Sequence, residues 1–164
     1  MDMLALAQWL SATPLSAAIQ NALWLIPLLQ TIHILAIAMV ISSIFMIDLR
    51  VLRIATSQPM PETARRFVPW IWTGLVLLAL SGATLIVGEP ERSLPNPAFQ
   101  IKMLLLALAI AVTGAFQASL RREPAQSERA DQSRRMTSVL AVSALVLWCA
   151  IVVAGRWIAY IKAT

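Results

Sequence analysis

At 164 residues and 18.0 kDa, with 59% hydrophobic and only 13% charged residues and a mean hydropathy of +0.76, the chain is too apolar for a water-soluble domain. Charge is missing from long blocks rather than thinned uniformly, which excludes disorder, a collagen-like chain and a soluble α/β enzyme. The net charge of +5 sits beside those blocks without a basic and aromatic stripe, so it argues for membrane topology and against a nucleic-acid partner.

The chain opens Met1-Asp2-Met3, with no basic n-region, so no cleaved signal peptide is expected. Residues 4–10 form a short apolar stretch, followed by Ser11-Ala12-Thr13-Pro14, in which Thr13 is suited to cap a helix beginning at Pro14. This entrance is predicted to lie along the outer membrane surface as a short interfacial helix.

Four segments then reach the roughly 20 helical residues needed to cross about 30 Å of hydrocarbon, near residues 24–47, 67–87, 98–120 and 138–161. Their apolar runs are continuous, without the alternation of a lipid-facing strand, so helices are preferred to a barrel. The predicted fold is all-α: a single integral membrane domain, a four-transmembrane-helix bundle. Pro27 is expected to bend or restart the first span and Pro69 to sit in the opening turn of the second. Residues 89–97 read as a proline-rich turn and residues 123–135 as a solvated linker. No internal repeat is present.

Orientation follows from the basic residues. Arg50, Arg53, Arg65 and Arg66 flank the first connection and Arg121, Arg122, Arg129, Arg134 and Arg135 the third, while the opposite side carries Arg92, Lys102, Arg156 and Lys162. The positive-inside rule puts the two arginine-rich connections in the cytoplasm and both termini outside. Trp9, Trp24 and Trp157 would mark the outer interface, and Trp70 and Trp72 the inner one.

His33 is the only histidine. It falls about 12 Å below the outer boundary, and an ionisable group at that depth commonly serves a proton, an ion or a cofactor. Neutral imidazole is also a common metal ligand, and Gln30, one turn earlier, is positioned to orient a ring nitrogen. At the same depth lie Ser81 and Gly82 on the second span, Ala107 on the third, and Ala150 with Ala154 on the fourth. Such a layer of small residues leaves room for a flat ligand such as haem, and equally suits close helix packing. The competing reading of His33 itself is a plain hydrogen bond to a neighbouring helix.

Lys102 and Arg156 lie nearer the outer face and offer cations to carboxylates such as haem propionates, with snorkelling to headgroups as the alternative. Asp48 and Arg50 read as a local interfacial ion pair. Cys149 is the only cysteine, which excludes an internal disulfide and a Cys/His zinc site. No hydrolase motif, phosphate-binding loop or pair of buried carboxylates occurs. Met39, Met46 and Met103 are soft ligands that bring copper into consideration, although Met39 is six residues from His33 and faces away from it; ordinary packing is the competing role.

The runs Trp24-x-x-Pro27-x-x-Gln30-x-x-His33, Asp48-Leu49-Arg50, Asn96-Pro97-x-Phe99-x-x-Lys102 and Gly155-Arg156-Trp157-Ile158-Ala159-Tyr160 span nearly all four helices. In them the chain resembles a widespread family of uncharacterised bacterial four-helix membrane proteins, a domain of unknown function. More distantly, the histidine-bearing first span and the lysine heading the third are similar to the copper-resistance D group and to b-type cytochrome bundles. That likeness implies redox or metal handling. It departs from the b-type pattern in having one histidine, so ligation of iron from both sides requires a second protomer, and a homo-oligomer is expected.

The leading expectation is therefore a haem b protein of the bacterial inner membrane that transfers electrons. His33 would be the metal ligand, Gln30, Gly82, Lys102 and Arg156 would line the cofactor, and a redox partner or quinone would exchange electrons with it. A non-catalytic membrane scaffold or accessory subunit is the alternative, and copper handling a second one.

Overall fold

A computed structural model of the chain describes residues 3–52, 54, 60–120 and 127–157. Seven helices make up the described residues: α1 (Met3–Ser11), α2 (Pro14–Asn21), α3 (Leu25–Val51), α4 (Met60–Gly88), α5 (Pro90–Ser93), α6 (Pro97–Leu120) and α7 (Ser127–Trp157). Within them are four stretches long and apolar enough to cross a membrane, Leu25–Val51, Glu62–Gly88, Pro97–Ala118 and Arg135–Trp157. The described chain is helical, with four membrane-compatible spans.

The helix starts follow local chemistry. Thr13 caps α2, its Oγ1 accepting from Ser16 N–H at 3.3 Å with Pro14 in the first turn. Asn96 does the same for α6, its Oδ1 accepting from Ala98 N–H at 2.9 Å ahead of Pro97. Pro27 falls in the first turn of α3, where a missing N–H costs nothing, so the span starts there instead of bending.

Two boundaries differ from the sequence expectation. Pro69 lies inside α4, not in its opening turn, because the helix already begins at Met60. The expected linker is helical from Ser127 onward, since Ser-Glu-Arg-Ala-Asp-Gln-Ser-Arg-Arg contains good helix formers and no proline or glycine, and α7 extends from that segment into its span. The turn over residues 89–97 contains the single helical turn α5. The expected end of the fourth span at Ile161, the Ile158-Ala159-Tyr160 part of the motif, and the charges of Arg53, Arg121, Arg122 and Lys162 lie outside the described residues.

The distribution of side chains is that of a bundle dissolved in lipid. The outward surface carries Ile34, Leu35, Leu80, Leu104, Val139 and Val146, whereas the buried set is rich in Ala36, Ser43, Ser81, Ala109, Thr113, Ala141 and Ala144. With no water to drive apolar burial, close van der Waals packing of small residues holds such helices together. Trp9, Trp24, Trp70, Trp72 and Trp157 are all exposed, as interfacial rings require, while Trp148 is buried and donates from Nε1 to Thr113 Oγ1 at 3.3 Å.

Helix α3 packs along α4 and also against α7, which packs against α6. Helices α3 and α4 approach closely at Gly74, where a Cβ would fall 2.5 Å from Val40 Cγ2. By contrast α4 and α6 meet sparsely; among the described residues the bond from Trp72 Nε1 to Gln117 Oε1, at 3.2 Å, spans them. The entrance helices close one end: α1 packs on α5, and α2 packs on α4, with Gln20 Nε2 donating to Gly88 O at 3.0 Å.

Candidate functional site

His33 projects from α3 onto α4, where its Nδ1 lies 2.8 Å from Ser81 Oγ. The direction of this bond follows from what Ser81 already does. A hydroxyl has one proton, and Ser81 Oγ donates it to Leu77 O one turn earlier, at 2.6 Å. With that proton on Leu77 O, Ser81 accepts from His33 Nδ1–H, and this assignment leaves Nε2 with its lone pair. A second partner that takes the proton of one ring nitrogen is the device that fixes the tautomer of a ligating histidine.

Gly82 lets the ring lie against α4. A Cβ at this position would sit 3.4 Å from His33 Cε1 and 3.9 Å from Nδ1, at ordinary van der Waals contact, so the imidazole edge faces α4 here. Ser81 is buried and His33 is half-buried.

Lys102, in the second turn of α6, crosses the α7 backbone: its Cε and Nζ would be 3.7 Å from a Cβ on Gly155. Gly155 is thus the position over which the lysine chain passes, next to Arg156. Arg156, in the last turn of α7, is exposed.

The structure brings together some of the residues expected at the site. His33 and Gly82 come together beside Ser81, whereas Lys102 lies against Gly155 on α7. Gln30 is exposed, and the ring nitrogen it was expected to orient is held by Ser81 instead. Of the layer of small residues, Ala154 is buried and Ala150 half-buried, but Ala107 is exposed and does not line the interior. Sequence separation gives depth along a helix and leaves rotation open, which is why Ala107 matched in level but not in direction.

Copper ligation by His33 with Met39 finds no support in the geometry. Met39 Cε packs against Gly74, 3.1 Å from where its Cβ would be, while His33 lies at Ser81 and Gly82 about two turns further along α4. Met46 is exposed. Among the described residues no group of three or more His, Cys, Asp or Glu could hold a metal ion.

The expected pairing of Asp48 with Arg50 is not formed. Asp48 is 2% exposed and neither carboxylate oxygen has a hydrogen-bond partner. Two residues apart on a helix means about 200° of rotation, so the two side chains leave α3 in nearly opposite directions.

Compared with known proteins, the chain matches the family of unknown function DUF6644 over residues 23–161, from just before α3 to beyond the described end of α7, and it belongs to that family. No curated protein and no solved structure matches it.

Proposed function

We propose that this member of the DUF6644 family is a b-type haem protein of the bacterial inner membrane that carries electrons, with His33 supplying an axial imidazole. The observation that carries the reading is the relay from His33 Nδ1–H to Ser81 Oγ to Leu77 O, because it leaves Nε2 as a lone pair with a fixed tautomer.

The donor set fits the group on one side of the iron. His33 Nε2 would hold the iron, with Gly82 beside the ring, and Lys102 with Arg156 would offer cations to the propionates. A second imidazole for the iron would have to come from outside the chain, since His33 is the only histidine. A second copy of the chain supplies it in this reading, which makes a homo-oligomer part of the proposal. Haem, when bound, supplies one-electron redox chemistry at iron. The protein's own residues orient the ligand through Ser81, neutralise the propionate charge and keep the site within lipid-facing walls. A redox partner or quinone is the exchange partner in this scheme.

Orientation belongs to the same proposal. The arginine-rich connections after α3 and before α7 face the cytoplasm, and both termini face outward with α1, α2 and α5. A distant resemblance of the histidine-bearing first span and the lysine at the head of α6 to copper-resistance D and b-type cytochrome bundles is part of the same proposal.

A scaffold or accessory subunit is the second reading, and the His33 to Ser81 bond favours it too, because that bond ties α3 to α4 without any ligand. Optical spectroscopy and metal analysis of the detergent-extracted protein separate the two. The haem reading expects a Soret band that His33→Ala abolishes; the scaffold reading expects a colourless protein in which His33→Ala changes stability alone.

A further inference from the structure

Asp48 is the buried acid that the haem reading does not use. It lies on α3 about 22 Å from His33 along the helix, near the opposite end of the bundle. Its side chain is 2% exposed, and both carboxylate oxygens lack a hydrogen-bond donor. An acid removed from water without a donor is very costly as an anion, so something must neutralise it.

The surroundings limit what that can be. Helices α4, α7 and α2 pack against α3. The charged side chains described at this end are Glu62, Arg65 and Arg66 on α4 and Arg135 on α7, all exposed, and Arg50 on α3 itself, half-buried and leaving the helix about 200° around from Asp48; α2 has no charged residue. None donates a hydrogen bond to Asp48. A metal cation would need several more oxygen ligands, and no acidic or histidine group of three is present among the described residues. A partner's lysine or arginine would need access to a side chain that is 98% covered. A proton needs one oxygen and no space.

We infer that Asp48 is a proton-binding site inside the α3 C-terminal half of the bundle, holding its proton at neutral pH. The site is separate from His33 and does not depend on a bound haem, so its test stands whatever the outcome at the histidine.

Infrared spectroscopy of the full chain in lipid nanodiscs at neutral pH tests it. Aspartate labelled with carbon-13 restricts the signal to three residues, Asp2, Asp48 and Asp131, of which Asp48 alone lies in a span. The expected result is a carbonyl-stretch band of a protonated carboxylic acid that shifts with the label and is lost in Asp48→Asn. That variant, isosteric and neutral, should unfold at the same temperature as wild type or higher. Absence of the labelled acid band in the wild-type protein overturns the inference, and needs no variant. Persistence of the band in Asp48→Asn overturns it as well, as does a large loss of thermal stability in that variant, which would indicate a paired carboxylate.

Discussion

The bond between His33 and Ser81 can be measured with a double-mutant cycle of His33→Ala and Ser81→Ala. Ser81→Ala removes the only acceptor of Nδ1–H and also the hydroxyl's bond to Leu77 O. The second loss is minor, because that carbonyl keeps its place in the helical ladder, and the cycle cancels it in any case. Interhelical hydrogen bonds in bilayers average about 0.6 kcal/mol and reach about 1.7. At 2.8 Å, with the serine 3% exposed, this one belongs in the upper part of that range, tempered by the half-buried ring. A coupling energy of about 1 kcal/mol is expected, roughly a fivefold change in the unfolding equilibrium. Equilibrium unfolding in mixed micelles, titrated with a denaturing detergent and followed by far-ultraviolet circular dichroism, gives all four corners. Additivity within about 0.3 kcal/mol would refute the bond. Nitrogen-15 resonances of His33 offer an independent check, with Nδ1 protonated and Nε2 not.

Packing supplies two further tests. Gly74→Ala puts a methyl 2.5 Å from Val40 Cγ2 and 3.4 Å from Ala36 O, a backbone atom, so α3 and α4 must part; a loss of about 1–3 kcal/mol is expected in the same unfolding assay. Gly114→Ala, with nothing within 4 Å, is its control and should gain up to about 1 kcal/mol from helix propensity. Thr13→Ala should cost about 1 kcal/mol in the α2 cap and speed amide exchange over Pro14–Asn21 while leaving the spans protected.

The spans were legible because twenty apolar residues in a row have few other solutions, and the Thr13 cap because it acts through a bond within a few residues; the Asn96 cap acts over the same short range but was not read. Helix ends beyond the bilayer were not, since hydropathy marks the lipid boundary and not where helical hydrogen bonding stops; α7 begins at Ser127 and α4 at Met60 for that reason. At the site, the depth of His33 could be counted from the span start, and Ser81 and Gly82 matched it because α3 and α4 run antiparallel with short-range register. Rotation of one helix relative to another could not be counted, which misplaced Ala107. Asp48 was obscured by its neighbour: an acid two residues from an arginine reads as a pair in one dimension, and only the helix turns them apart. The burial of Trp148 was likewise hidden, as tryptophan in a membrane protein reads first as an interfacial residue.

The most direct measurement of the central claim is the absorption spectrum of the purified protein, wild type beside His33→Ala. The account predicts a Soret band in the first that is missing from the second, with both proteins retaining their helical content. A colourless wild-type protein, prepared with haem available during expression, would contradict it.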